Sequence, residues 1–309
     1  MATTSRDGPV LVAVGNPEHV EQLVRTAGDL AHGGSGRVRI VTVVAKPRDS
    51  PFGVFDDETI RREFAAEGHD LIERAETPPG VAVEREVVVG RSVAGGLLSA
   101  VEETDPAALV VGWHGRSRRT DALLGTTVDR LVERARCDLY VERVGREANG
   151  VDSVLLPVAG GPHVRAAATV ARAIAGRNDA RVHVLSVATP GIGSGDADGY
   201  VVEARELLQT AGERGRTREA GAVAVDGVHD LPVETEVVEA GDVTEAIVAA
   251  AADHDVVVMG ATRQGPLRGR LVGSVPRRVV DQTDATVVLA RDASVVGGLL
   301  GRIGGLLRR

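Results

Sequence analysis

Gly112, Gly115, Gly125 and Thr126 fall in the pattern Gly-x2-Gly-x9-Gly-Thr, directly after the apolar run AALVV at residues 107–111. Glycines in such a place admit positive φ and bring backbone N–H groups to a ligand with no Cβ between them. Thr126 opens the helix-period run TTVDRLVERA, whose N-terminus carries roughly half a positive charge. Glycine loop and helix start together suit the two ends of one phosphate chain, with Arg116 beside the second glycine as a charged contact. The same residues also have a mechanical reading, in which the glycines turn the chain and Thr126 caps its helix, a cap worth about 1 kcal/mol.

A second copy of the pattern runs MGATRQGPLRGRLVGSV from Met259 and keeps Gly260, Gly273 and Ser274, but Arg263 stands where the second glycine belongs. An arginine there is strained by about 1–2 kcal/mol if positive φ is required. Gly265 offers the loop another shape, and Arg263, Arg268 and Arg270 offer guanidinium contacts to phosphate in place of backbone N–H groups. The first copy therefore reads as the more complete site and the second as degenerate or differently used.

Other reactive residue types are isolated. His19 and His163 occupy matching positions after the proline of two similar turns, without a second ligand nearby in sequence, and read as capping or surface residues. His114 lies inside the glycine loop and reads at most as a phosphate contact. Cys137 begins an apolar strand and reads as a small buried residue. No nucleophile-base pair, paired carboxylate site or metal-ligand cluster stands at recognisable spacing, so a dedicated catalytic activity is not expected. Slow hydrolysis of a bound nucleotide stays open.

The elements that would position the glycines repeat. VLVAVGNPEHVEQLVRTAGDLA, beginning at Val10, and VLLPVAGGPHVRAAATVARAIA, beginning at Val154, share a strand, a small-residue turn with Pro and His, and a helix-period run. Each is followed by a strand, a polar stretch, a charged helix, another strand, a glycine turn, a helix, a buried strand with its glycine motif, and a closing strand. Five mostly apolar strands alternating with about four helices per half predict two parallel sheets covered on both faces, with right-handed crossovers. The polar stretch GREANG marks the boundary, giving domains at 8–146 and 151–292, which as tandem copies are expected to pair about a pseudo-twofold axis and could dimerise further.

Composition narrows the function. The chain has 309 residues with 43% hydrophobic but only 2% aromatic content, so its cores are Val, Ala, Leu and Ile. A net charge of −8 argues against a nucleic-acid-binding surface. Its basic residues are arginines except Lys46, which fits a salt-adapted source, where screening over about 3 Å at 1 M would favour short backbone hydrogen bonds to anions. One cysteine excludes an internal disulfide, and neither a signal-peptide core nor a run of about 20 apolar residues is present, so a cytoplasmic, peripheral at most, location is expected.

The glycine spacing after the fourth strand of a five-stranded α/β unit resembles the nucleotide-binding signature of the universal stress protein family, and the chain resembles haloarchaeal tandem members. The resemblance implies a Rossmann-like fold of the adenine nucleotide alpha hydrolase type and an adenine nucleotide, ATP or AMP, as ligand, with Mg2+ only alongside ATP. In the first half it implies Val43 and Val111 beside the nucleoside and Gly112, Gly115, Gly125 and Thr126 on ribose and phosphates. The family's first-strand Asp is absent, its place being Gly15, and losing such a carboxylate weakens binding by about 1.5–3 kcal/mol. In the second half the matching positions are Val187, Met259, Gly260, Arg263, Gly273 and Ser274, with Ala159 for the Asp.

The stretch 293–309 is set apart as a tail. Val295, Val296, Leu299, Leu300, Ile303, Leu306 and Leu307 recur at three- and four-residue steps among arginines, an amphipathic helix pattern that internal glycines weaken. It is expected to pack on its own domain or a subunit contact, or to touch a membrane surface or a transporter. A nucleotide-responsive regulatory module and a nucleotide-independent module attached to a membrane transporter are the two functions that these features support.

Overall fold

The computed structural model describes residues 7–46, 54–113, 125–145, 150–219, 231–261 and 273–295. Packing divides the chain into unit 1, Met1–Glu142 with Asp292–Arg309, and unit 2, Arg143–Arg291.

Unit 1 runs β1 (Val10–Ala13), a 3-10 turn (Pro17–His19), α1 (Val20–His32), β2 (Arg37–Ala45), α2 (Asp57–Glu63), α3 (Ala66–Glu73), β3 (Ala82–Gly90), α4 (Val93–Thr104), β4 (Ala108–Gly112), α5 (Thr126–Arg134) and β5 (Asp138–Arg143). Its strands are parallel in the order β3-β2-β1-β4-β5. Unit 2 runs β6 (Ser153–Pro157), α6 (Val164–Asn178), β7 (Arg181–Ala188), α7 (Ser194–Glu219), β8 (Val233–Glu239), α8 (Val243–Ala251), β9 (Val256–Gly260), α9 (Ser274–Gln282) and β10 (Thr286–Arg291), with the parallel order β10-β9-β6-β7-β8. The two α/β units are thus the tandem five-stranded parallel sheets expected from the repeat.

The apolar strands are central and the mixed ones lie at the edge. Leu11, Val12, Leu109 and Val110 are fully buried, whereas β3 exposes Ala82 and Glu84 and buries only Val87 and Val88. Small residues let the helices sit close to the sheet. On α6, Ala166, Ala167, Ala168, Ala171 and Ala175 are at most 1% exposed. Helices α4 and α6 stop at Asp105 and Asp179 in left-handed conformations, φ 42° and 52°, where a short polar side chain tolerates the turn.

One connection departs from the single charged helix expected after the second strand. Two short helices, α2 and α3, stand there, with Phe64 and Ala65 between them. Ile60 and Ile72 are twelve residues apart, about a third of a turn out of phase on one continuous helix. The break lets both be buried, at 0% and 2% exposure, together with Ala65 at 1%.

Residues 292–295 belong to unit 1, where the Ala293 N–H donates to Asp138 Oδ1 at 2.8 Å. The rest of the amphipathic tail, residues 296–309, lies outside the described residues.

Candidate functional site

In unit 1 the strand order reverses between β1 and β4, and chains leave their carboxyl ends in opposite directions there. Such a reversal leaves a crevice in parallel α/β sheets. A cavity of about 220 Å3 opens at this point. Gly15 and Asn16 after β1, Val43 of β2, Val111 and Gly112 of β4, and Thr127 of α5 line it, with Leu23, Leu97 and Leu131 as its apolar wall. Its volume lies below the roughly 300–1,000 Å3 of pockets that enclose a drug-sized ligand.

The structure brings Gly15, Val43, Val111 and Gly112 to this cavity, along with the turn that Gly125 and Thr126 open. Gly115 and Arg116 lie outside the described residues. Gly125 has φ 92°, so positive φ is required at this glycine. It is also the N-cap of α5 and supplies no side-chain cap. Thr126 is therefore the first helical residue, and the reading that made it the cap is corrected. By contrast, Asp56, Ser92 and Asp242 cap α2, α4 and α8 with side-chain oxygens. The first turn of α5 thus begins without a side-chain acceptor, and its Thr127 faces the cavity.

Gly112 has a different reason from the one expected. It is not among the positive-φ glycines. A Cβ there would stand 3.0 Å from Leu23 Cδ1 and 3.9 Å from His19 Nδ1, so the missing side chain lets α1 and its leading turn close over the end of β4. Gly260 repeats the relation in unit 2, where a Cβ would stand 3.1 Å from His163 Cβ. His19 and His163 therefore pack over these glycines. His163 is 4% exposed and so is not a surface residue, His19 lines the cavity, and neither caps its helix through the side chain.

A side chain built at Gly15 meets nothing within 4 Å. Space for the absent carboxylate is therefore present. Asn16 does not replace it, because its Oδ1 accepts from the Glu18 N–H at 3.2 Å and holds the 3-10 turn.

In unit 2, Val187 and Met259 are each 5% exposed, and Ser274 opens α9 behind Gly273, which has φ −65° and supplies no side-chain cap. Arg263, Gly265, Arg268 and Arg270 lie outside the described residues. Among the described residues no group of three or more His, Cys, Asp or Glu side chains is placed to hold a metal ion. Cys137 is buried and free of any disulfide.

Glu142 gave no sequence signal, since a lone acid before Arg143 reads as an ordinary strand end. It pairs in register with Gly112 and is fully buried. Its Oε1 accepts from Gln22 Nε2 at 2.9 Å, and its backbone carbonyl accepts from the Trp113 N–H at 2.8 Å. Burial pushes its carboxyl up to about 7, against the opposing pull of the Gln22 hydrogen bond, the nearby Thr26 hydroxyl and the charge of Arg25.

The model of the universal stress protein family matches residues 8–143 and again 150–291. The chain belongs to that family.

Solved universal stress protein structures share the fold over nearly the whole length. One from Archaeoglobus fulgidus is 17% identical, with TM-score 0.57 over 93% of this chain and 97% of its own. A functionally unknown protein from Pseudomonas aeruginosa PAO1 is 17% identical, with TM-score 0.55 over 95% and 96%. The cytoplasmic domain of a prokaryotic cation chloride cotransporter is 12% identical, with TM-score 0.52 over 93% and 96%. At these identities the likeness is one of fold. No curated protein matches the chain at a significant level. No described helix of this universal stress protein is long and apolar enough to cross a membrane.

Proposed function

We propose that the protein is a non-catalytic regulatory module that responds to an adenine nucleotide, ATP or AMP, bound in the cleft of unit 1. The observation that supports this most is the cavity at the β1–β4 reversal with the side-chain-uncapped start of α5 on its rim. Val43 and Val111 would flank the nucleoside, and the α5 N-terminus with Gly112, Gly115, Arg116, Gly125 and Thr126 would meet the phosphates. When ATP is the ligand, Mg2+ would accompany it on the phosphate side.

Calorimetric titration with ATP and with AMP, at low and at molar salt, tests the reading. About one nucleotide per chain, lost in Gly115→Arg, is the expected result. Absence of heat and of any thermal shift in every condition would end it.

A second reading is a module that acts on a membrane transporter from the cytoplasmic side. The fold likeness to a cotransporter's cytoplasmic domain favours it, together with the apolar, arginine-bearing pattern of the tail. Removing residues 296–309 would then abolish sedimentation with anionic vesicles or with a carrier while leaving nucleotide titration unchanged. Equal sedimentation of the two forms would count against it.

A further inference from the structure

The two units differ sharply where the first strand of each gives way to its turn. In unit 2 the turn is Gly160–Gly161, both left-handed, with φ 69° and 95°. Over it lies Tyr200, from the second turn of α7. A Cβ at Gly160 would stand 2.6 Å from Tyr200 Cε1, 3.0 Å from Cδ1 and 3.2 Å from Cζ, so the ring rests on the glycine's own backbone. Gly160 corresponds to Asn16, a residue that lines the open cavity of unit 1.

The path that delivers Tyr200 is short and fixed. Between β7 and α7 the chain turns at Thr189–Ile192 with reciprocal backbone hydrogen bonds of 2.8 and 3.0 Å, and Thr189 Oγ1 accepts from the Gly191 and Ile192 N–H groups. Helix α7 is then anchored by Ala197, Val201, Ala204 and Leu208, none more than 6% exposed. In unit 1 the described residues of the corresponding connection include Phe55 and Phe64, whose rings pair with each other at 5.1 Å and line no part of the cavity.

The strand ends differ in burial as well. Val43 is half-buried in the open cleft of unit 1, whereas Val187, its counterpart on β7, is 5% exposed. A planar aromatic ring seated on a glycine turn beside an apolar strand end occupies the kind of space that a flat heterocyclic base would need.

We propose that Tyr200 is a built-in plug of the unit 2 cleft, holding this copy closed to nucleotide so that the chain has one binding site rather than two. The proposal rests on the nucleotide reading for the ligand, but the plug itself is testable without one.

A single thiol is introduced by Val187→Cys, or by Val43→Cys as the open-cleft reference, and its reaction with a small thiol reagent is timed. Cys137, 1% exposed, supplies the slow background. The thiol of Val43→Cys is expected to react at least about tenfold faster than that of Val187→Cys, as its greater exposure implies. Adding Tyr200→Ala to Val187→Cys should bring its rate to within a few-fold of the open-cleft reference, and adding Tyr200→Phe should leave it slow, since the ring and not the hydroxyl does the covering. Circular dichroism of each variant separates opening of the cleft from loss of fold. A Val187→Cys, Tyr200→Ala chain that keeps its fold and still reacts slowly overturns the plug.

ATP titration of the same variants then reads stoichiometry. A rise from about one to about two nucleotides in Tyr200→Ala supports the proposal. A fixed value of one, with the thiol at position 187 already fast, overturns the assignment of one-site binding to Tyr200. Binding of no nucleotide by any form, with that thiol still released, sinks the nucleotide reading and leaves the plug standing.

Discussion

Gln22 on α1 donates a 2.9 Å hydrogen bond to Glu142 at the end of β5, 120 residues away, and the second carboxylate oxygen, Oε2, has no hydrogen-bond partner among the described residues. A fully buried carboxylate satisfied on one side only is costly when charged. The consequence is a stability that depends on pH near neutrality.

The carboxyl of Glu142 is raised from 4.5 to about 7. The folded chain therefore keeps a proton that the unfolded chain releases, and this contribution to stability is full below pH 4.5 and is lost as pH rises to about 7. Each tenfold difference in proton affinity between the two states is about 1.4 kcal/mol, so the full contribution is roughly 3 kcal/mol. Glu142→Gln, which can still accept from Gln22, should be more stable than the parent at pH 8 and nearly equal to it at pH 4.5. Urea melts across that range check this, and parallel curves for the two proteins would refute it.

Asp242 behaves in the opposite sense. Arg278 donates to it at 3.0 and 3.1 Å, and its Oδ1 accepts from the Thr244 and Glu245 N–H groups. The Arg278 hydrogen bonds, then those of the backbone, hold its carboxyl below the usual value. Its contribution is present above the unfolded value and is lost as pH falls through the lower folded one. Asp242→Ala, which removes a helix cap and its arginine partner, is expected to lower the melting temperature at pH 7 by about 2–4 °C. The difference should shrink at pH 3. A constant difference at both pH values would show that the carboxylate charge is not involved.

Gly15→Asp restores a carboxylate at a position where a side chain meets open space. Hydrogen bonds to a charged group contribute about 1.5–3 kcal/mol, so nucleotide affinity should rise by about tenfold to a hundredfold. Competitive titration against the parent measures it. No gain would mean that a ligand does not lie against the end of β1.

Glycines differ in what replaces their missing side chain. At Gly112 the nearest atom is the far end of Leu23, which can turn aside, so Gly112→Ala should cost less than about 1 kcal/mol, whereas Gly112→Val overfills the contact by about 1–3 kcal/mol. At Gly145 a Cβ would run into backbone atoms of Asp284 and Ala285, which cannot move aside. Gly145→Ala should therefore destabilise more than Gly112→Ala, although only Gly112 belongs to the glycine motif. Chemical denaturation of the three variants ranks them, and the reverse order would contradict the packing described.

Strand and helix periodicity, the internal repeat and the glycine spacing were local properties of the chain. The strand expected after each strand-turn-helix copy is β2 (Arg37–Ala45) in one half and β7 (Arg181–Ala188) in the other. The crevice followed from topology, since a parallel order that reverses between the first and fourth strands always leaves one there. The missing carboxylate was also legible, because it is a matter of residue identity at Gly15.

What the chain could not reveal depends on contacts between residues far apart in sequence. The reason for Gly112 is the Leu23 side chain, 89 positions earlier, so the motif glycine reads locally as a φ requirement when it is a packing one. The partner that Glu142 meets depends on α1 bringing Gln22 to the end of β5, and whether the second cleft is open depends on where α7 leaves Tyr200. Sequence determined the elements, their repetition and the chemistry available at each cleft. Tertiary structure decided which cleft is open and which acid is buried, because burial is a property of the neighbours that close packing brings together and not of the residue itself.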